Sequence, residues 1–175
     1  MQPQEQGVVA EPERRAIAKA LNAIARVTGH PFTMRDEPGR FRIQKAVYLL
    51  KWMKYPPAQR FDYNLYLKGP YSPNLTAWYY EMQDQGMRSA GEAAGLGDPA
   101  RRVVVAALGH DDSFLEGLTT LLDVSTETPH LPAALARAKA IKSHIADQTW
   151  KEVLRFLAIN RSVIAVTSTP PSSSP

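Results

Sequence analysis

The sequence contains no cysteine and no long apolar run, and these two absences exclude several classes of protein. Without cysteine there is no disulfide framework, no thiolate metal site and no cysteine nucleophile. The longest apolar runs, such as Val103 to Leu108, are far shorter than the roughly 20 residues that a membrane-spanning helix needs. The first ten residues lack a charged-then-apolar signal pattern. We therefore expect a cytoplasmic protein without membrane contact.

Patterns that indicate catalysis are also scarce. The four histidines have no metal-ligand spacing, and the sequence has neither a glycine-rich phosphate loop nor a GxSxG serine elbow. The adjacent acids Asp111 and Asp112 fit the start of a helix, where a carboxylate accepts hydrogen bonds from unpaired backbone amides. The sequence thus predicts a protein that is not an enzyme and that carries no metal and no cofactor.

Length and composition are those of one folded domain. The 175 residues are 44% hydrophobic and 22% charged, an ordinary globular mixture that excludes wholesale disorder. Residues 1–10 are polar and aperiodic, and residues 167–175 form a Ser/Pro run with no apolar group to bury. We expect both ends to be disordered, with a single domain over residues 11–166.

Apolar residues at helical spacing predict most of the secondary structure. Helices are expected at residues 12–28, 40–54 and 73–86, and three more in the C-terminal third. The broad apolar stripe of the second predicts a central helix packed on more than one side. In the third, Leu75, Trp78, Tyr79 and Met82 are expected to face the core. The first of those three would be capped by Asp111 or Asp112. The last would begin at Thr149, with Thr149 and Glu152 forming a capping box.

Two segments are typical of strands. The residues from Phe61 to Lys68 alternate between apolar and polar, and the segment from Arg101 to Leu108 contains three consecutive valines after a glycine-rich stretch that we expect to be a mobile loop. The side of the first strand expected to face the core carries Phe61, Tyr63, Leu65 and Leu67. If the two strands pair, the fold is mainly α with a small β-sheet (α+β), with a winged-helix-like centre and extra N- and C-terminal helices.

The positive charge is concentrated in one part of the chain. The segment from Arg40 to Lys68 has a net charge of +6, whereas the whole chain has +4. The helix expected over residues 40–54 would expose these basic groups, either as a solvated helix face or as a contact surface for nucleic acid. The candidate nucleic-acid contacts are Arg40, Arg42, Lys51 and Lys54.

One segment carries a recognisable combination of motifs. The sequence RIQKAVYLL at residues 42–50 is followed by FDYNLYLKGPYSPNL at residues 61–75. This combination resembles the SocA-like antitoxin domain, also called Panacea, and allied small bacterial proteins with a "QKxxYLL" helix, an aromatic strand and a "GPYS" turn. The resemblance covers about Arg40 to Gly86. It implies a non-enzymatic module that binds partner proteins, neutralising toxins or, for the namesake, presenting a toxin to a protease.

The GPYS turn also has a purely structural explanation. Glycine permits an unusual backbone angle, proline fixes the next one, and Ser72 is suited to cap the helix that follows. The motif by itself therefore predicts a well-defined turn, whether or not the turn contacts a partner.

Two functions remain open at this stage. The first is a regulator of antitoxin or adaptor type that binds a protein such as a toxin or a protease component, with contacts from Lys45, Tyr66, Lys68 and Tyr71. The second is a winged-helix transcriptional regulator that binds DNA. The helix that would enter the major groove contains two acids and no Arg or Lys, which argues against the second function.

Overall fold

The computed structural model describes residues 9–86 and 95–168, which are mainly helical with one two-stranded antiparallel sheet. The expected class, mainly α with a small β-sheet, is confirmed. The helices are α1 (Glu11–Thr28), α2 (Glu37–Trp52), α3 (Pro73–Gly86), α4 (Asp98–Leu108), α5 (Asp112–Glu127), α6 (Leu131–Ile141), α7 (Asp147–Ile159) and α8 (Arg161–Ser168). The strands are β1 (Asn64–Tyr66) and β2 (Gly69–Tyr71), and a short 3-10 helix, Pro56–Arg60, precedes them.

Helix α2 lies at the centre of the protein, as its apolar stripe predicts. It packs against α1, α4, α5 and the sheet, and it is buried on more than one side. It begins after Asp36, whose carboxylate accepts a hydrogen bond from the Gly39 amide at 2.7 Å. Its fully buried apolar residues are Ile43, Ala46, Val47 and Leu50.

Helix α5 forms the other side of the core. Asp111 is its N-cap and accepts a hydrogen bond from the Phe114 amide at 2.8 Å, which confirms one of the two predicted caps. Helices α6 and α7 pack against α5, and α8 packs against α2, α4 and α7. The α5 residues buried in this core include Phe114, Leu115, Leu118 and Leu121.

The segment from Arg101 to Leu108 is a helix and not the expected strand. The residues Val103, Val104 and Ala107 are buried on one face of α4, against α1 and α2. Valine lowers helix propensity by only a few tenths of a kcal/mol, and the burial of this apolar face outweighs that cost. The predicted pairing of this segment with the strand after Phe61 therefore does not form. The loop expected at residues 86–99 lies partly outside the described residues, which resume at Gly95.

The strand predicted from Phe61 to Lys68 is much shorter than expected. It spans Asn64–Tyr66 and pairs with β2 in a hairpin, with Tyr66 opposite Gly69. Phe61 is buried, but Leu65 and Leu67 are exposed, so the prediction that both leucines face the core is wrong. Among the described residues, β1 packs mainly against β2, and all three of its residues are exposed.

The C-terminal region differs in detail from the prediction. Helix α7 begins at Asp147 after Ala146, so Thr149 lies inside the first turn and the predicted capping box is wrong. Helix α8 was not predicted and extends through Ser168. Residues 1–8 and 169–175, most of the two ends expected to be disordered, lie outside the described residues. None of the helices in residues 9–86 and 95–168 has the length and apolar character required to cross a membrane.

Helix α3 generates a stability prediction. Its predicted stripe is confirmed, since Leu75, Trp78 and Tyr79 are buried, and the Trp78 ring lies 6.2 Å from that of Phe61. Truncating a buried aromatic leaves a cavity and typically costs about 3–5 kcal/mol. We expect Trp78→Ala to lower the free energy of unfolding by about that amount in urea denaturation. The control is Tyr80→Ala on the same helix, which is 57% exposed and should change stability by less than about 0.5 kcal/mol. Equal midpoints for the two variants would contradict the packing of α3.

Candidate interaction site

The GPYS turn is held by the side chain of Gln44 on α2. The Gln44 amide donates from Nε2 to the Ser72 carbonyl at 3.0 Å and accepts from the Ser72 amide through Oε1 at 2.9 Å. Gln44 is 3% exposed, so both bonds are shielded from water. The side chain thus pairs with the backbone of Ser72 as a neighbouring strand would, which satisfies two buried polar groups at once.

Lys45, next to Gln44, is also directed into the protein. Its Nζ donates to the Pro70 carbonyl at 2.9 Å and lies 5.0 Å from the centre of the Phe41 ring. The side chain is 2% exposed, so the prediction that α2 exposes Lys45 is wrong. Position 45 lies on the face of α2 that the hairpin and α5 cover, and the long side chain reaches a backbone carbonyl there.

A second buried lysine holds the hairpin from the other side. Lys142, just after α6, donates from Nζ to the Tyr66 carbonyl at 3.0 Å and also to the Leu67 carbonyl. The same ammonium lies 3.1 Å from the Glu116 carboxylate, which is also 3.2 Å from the His144 ring. We call Gln44, Lys45 and Lys142 the hairpin clamp. Sequence reasoning missed Lys142, because nothing in its local pattern distinguishes it from a surface lysine.

Gly69 allows the hairpin to lie close to the clamp. Its φ of +86° lies in the left-handed region that favours glycine. A Cβ atom there would lie 3.1 Å from both Lys45 Nζ and Thr120 Oγ1. The backbone angle therefore favours glycine at this position, and a Cβ atom would require Lys45 or Thr120 to shift by a few tenths of an ångström.

The burial of Lys45 changes its proton affinity. Burial disfavours the ammonium form and lowers the pKa of Lys45 to about 7. Lys142 adds to this lowering of the pKa, while the carboxylates of Glu116 and Asp123 oppose it. The Lys45 amine therefore changes its charge near neutral pH.

A groove opens between α2, the hairpin and α3. Its volume is about 330 Å³, and Lys45 lies at its floor. Three hydroxyl groups that contact one another line one wall. The Thr76 hydroxyl donates to the Tyr71 hydroxyl at 2.7 Å and lies 3.2 Å from the Tyr79 hydroxyl. The aromatic lining residues are Phe41, Tyr66, Tyr71, Tyr79 and Tyr80.

The structure brings the predicted contact residues together at this groove, but not all on the surface. Tyr66 is 52% exposed, and its ring meets the half-buried Tyr71 ring edge-on at 5.3 Å. Lys68 is exposed and pairs with Glu37. Lys45 lies beneath these three residues, so it can act on a partner only through the groove.

The predicted nucleic-acid contacts do not form a single basic face. Arg42 donates to the carbonyls of Leu108 and His110 at 2.7 and 2.8 Å and lies 3.3 Å from Asp112, which joins α2 to the start of α5. Lys51 donates to the Phe61 carbonyl.

Arg40 and Lys54 complete that predicted set. Arg40 is partly buried and donates to the Met34 carbonyl at 3.0 Å, while Lys54 is exposed just after α2. Most of the basic segment therefore stabilises the chain's own backbone turns.

No family model, no curated protein and no solved structure matches this chain. Within residues 9–86 and 95–168, no group of three or more acidic or histidine side chains is placed to hold a metal ion. The interpretation of the site therefore depends on the geometry of the hairpin, the clamp and the groove.

Two glycines test the close approach of the hairpin to the clamp. Gly29 and Gly69 both have positive φ, +72° and +86°, but a Cβ at Gly29 would meet no atom within 4 Å. We expect Gly29→Ala to cost about 1 kcal/mol from the backbone angle alone. Gly69→Ala should cost about 1 kcal/mol more, because it also crowds Lys45 and Thr120. Equal losses in urea denaturation would show that the space at Gly69 is not restricted.

The buried amine predicts a pH dependence of stability. Between pH 7 and about 10.5 the unfolded chain keeps a proton on Lys45 that the folded chain has lost, so stability rises with pH in this window. Below pH 7 both states carry the proton, and the contribution is constant. From pH 6.5 to pH 9 the stability of the wild type relative to Lys45→Met should increase by about 2.5 kcal/mol.

The control for this measurement is Lys139→Met, at an exposed lysine that pairs with Asp147 at 2.6 Å. Its unfolding free energy should follow the wild type across the same pH range. A Lys45→Met curve parallel to the wild type would show that Lys45 keeps an ordinary pKa.

Proposed function

We propose that this protein is a non-enzymatic, cytoplasmic partner-binding module of antitoxin or adaptor type, and that the hairpin tip and the adjacent groove contact the partner. The observation that carries the proposal is Leu67, an apolar residue that is 90% exposed at the tip of a clamped hairpin. Leu67 contributes little to the core in that position. Burying such a side chain against a partner contributes about 1.5–3 kcal/mol.

Other apolar residues close to Leu67 are also exposed. Leu65 is 36% exposed and Tyr66 is 52% exposed on the same hairpin, and Tyr80 on α3 is 57% exposed at the groove. Exposed apolar groups that cluster, rather than lie singly, are typical of interaction sites. Tyrosine suits such a site because it gives a large contact area with a polar tip.

The clamp supports the proposal because it makes this surface rigid before binding. The carbonyls of Tyr66, Leu67 and Pro70 are all held by buried lysines. A partner that binds an ordered hairpin loses less conformational entropy than one that must order a loop, so more of the contact energy is available as affinity.

The resemblance to SocA-like domains supports the same function. Its motif residues in this chain include Gln44 and Lys45 of the hairpin clamp and the GPYS turn that these two residues hold. The resemblance suggests that the partner is a toxin or a protease component.

The DNA-binding alternative has less support. Helix α3 contains no Arg or Lys and exposes Glu81. DNA phosphates would repel the negatively charged Glu81 carboxylate. Arg42 and Lys51 are engaged with backbone carbonyls.

The test is a comparison of two apolar-to-polar variants. Leu67→Ser removes the exposed leucine at the hairpin tip. Ile159→Ser removes an isoleucine that is 74% exposed at the end of α7. We expect the wild type and Ile159→Ser to retain the same protein on affinity purification from the native host. Leu67→Ser should bind that protein, once purified, about tenfold more weakly, because it lacks an interface anchor.

Circular dichroism and urea denaturation should show that both variants fold like the wild type, since neither residue is buried. If Leu67→Ser and Ile159→Ser bind the partner equally well, the hairpin tip is not the contact surface. If no protein is retained and the chain binds duplex DNA with a steep salt dependence, the protein is a DNA-binding regulator.

A further inference from the structure

We propose that the groove accepts an acidic segment of the partner, in which a side-chain carboxylate lies next to an aromatic side chain, with the carboxylate directed toward Lys45. This inference rests on the proposed function and specifies the chemistry of the partner. It also implies that binding is coupled to the uptake of a proton.

The size and lining of the groove favour an aromatic side chain. A volume of about 330 Å³ is at the lower end of the range for ligand pockets and fits one large side chain with part of its neighbour. The Phe41, Tyr71 and Tyr80 rings line it, and the exposed Leu67 and Tyr66 stand at its edge. Aromatic pairs stabilise by about 0.5–1.5 kcal/mol beyond the area they bury.

The charges along the groove favour a carboxylate. The charged lining residues are Glu37, Arg40, Lys45 and Lys68. Glu37 and Lys68 pair with each other, and this contact lowers the pKa of Glu37 and raises that of Lys68. Arg40 also lowers the pKa of Glu37, so this one carboxylate faces two basic groups besides Lys45. When Lys45 is protonated, the lining therefore has more positive than negative groups.

The charged groups behind the groove do not reverse this excess. Glu116 on α5 lies 3.1 Å from the Lys142 ammonium, so the two charges offset each other. Asp123 on α5 accepts a hydrogen bond from the Tyr48 hydroxyl at 3.2 Å, and burial raises the pKa of Asp123. Neither carboxylate belongs to the groove lining.

The ammonium of Lys45 also has hydrogen-bonding capacity beyond its bond to the hairpin. It has three N–H donors, and the described contacts include one bond, to the Pro70 carbonyl. A carboxylate that approaches through the groove would favour the charged form of Lys45. Because the pKa of free Lys45 is about 7, binding at pH 8 then requires a proton from the solvent.

The experiment uses two peptides that differ only in charge, N-acetyl-Phe-Glu-amide and N-acetyl-Phe-Gln-amide. Each is titrated into the full-length ¹⁵N-labelled protein, and backbone amide shifts are followed by NMR. At pH 6.5 we expect shifts at Phe41, Gly69 and Tyr71, with the Glu peptide binding about fivefold more tightly than the Gln peptide.

The pH dependence of the preference for the Glu peptide distinguishes a contribution of Lys45 from one of Arg40. Lys45 is mostly neutral at pH 8.5, so the preference for the Glu peptide should fall to about twofold or less there. Arg40 stays charged over this range and cannot produce such a change. The glutamate of the peptide is ionised at both pH values.

Variants provide the second comparison. Lys45→Met should abolish both the preference for the Glu peptide and its pH dependence, whereas Lys139→Met, at an exposed lysine that pairs with Asp147 and does not line the groove, should leave both unchanged. If Lys45→Met does not fold, the pH profile of the wild type alone still decides the question.

The inference is overturned if both peptides bind equally, if the preference for the Glu peptide does not change with pH, or if no amide of the groove shifts. Loss of partner binding in Leu67→Ser together with any of these results would leave the proposed function intact and reject only the acidic segment. Conversely, peptide binding in the groove with unchanged partner binding by Leu67→Ser would reject the proposed contact surface.

Discussion

The position of the hairpin depends on the hydrogen bonds that α2 makes with the GPYS turn. Gln44 pairs with both backbone groups of Ser72, and Lys45 binds the Pro70 carbonyl, so two consecutive residues of one helix fix the turn. These bonds replace the strand neighbours that a two-stranded sheet lacks. Because an isolated hairpin is only marginally stable in water, the buried side-chain bonds are what allow so small a sheet to persist.

Burying two lysines for this purpose has a cost that the structure only partly offsets. Lys142 has the Glu116 carboxylate within 3.1 Å, whereas Lys45 has a carbonyl and a ring face as its nearest partners. Burial disfavours the ammonium form of Lys45 and lowers its pKa to about 7. The same arrangement places the Lys45 amine at the floor of the groove. The residue that stabilises the hairpin is therefore also one that a bound partner could contact through the groove.

Much of the helical fold was predictable because its causes are local. The stripe of Leu75, Trp78 and Tyr79, the cap at Asp111 and the central position of α2 all follow from spacing and from residues within one or two turns. The valines of α4 were misleading for the opposite reason. Their preference for strands is weak, and the burial of one face against α1 and α2, which only the tertiary structure supplies, decides in favour of the helix.

The candidate site shows the same division between local and distant causes. The sequence by itself determined that a helix, an aromatic segment and a glycine-proline turn follow each other, and that Tyr66, Lys68 and Tyr71 lie close to that turn. Only the tertiary structure decided that Lys45 is directed inward, that Lys142 reaches the hairpin from 75 residues away, and that Leu67 is exposed. Whether a lysine or a leucine is buried depends on which elements cover it, and that is set by packing between residues distant in the chain.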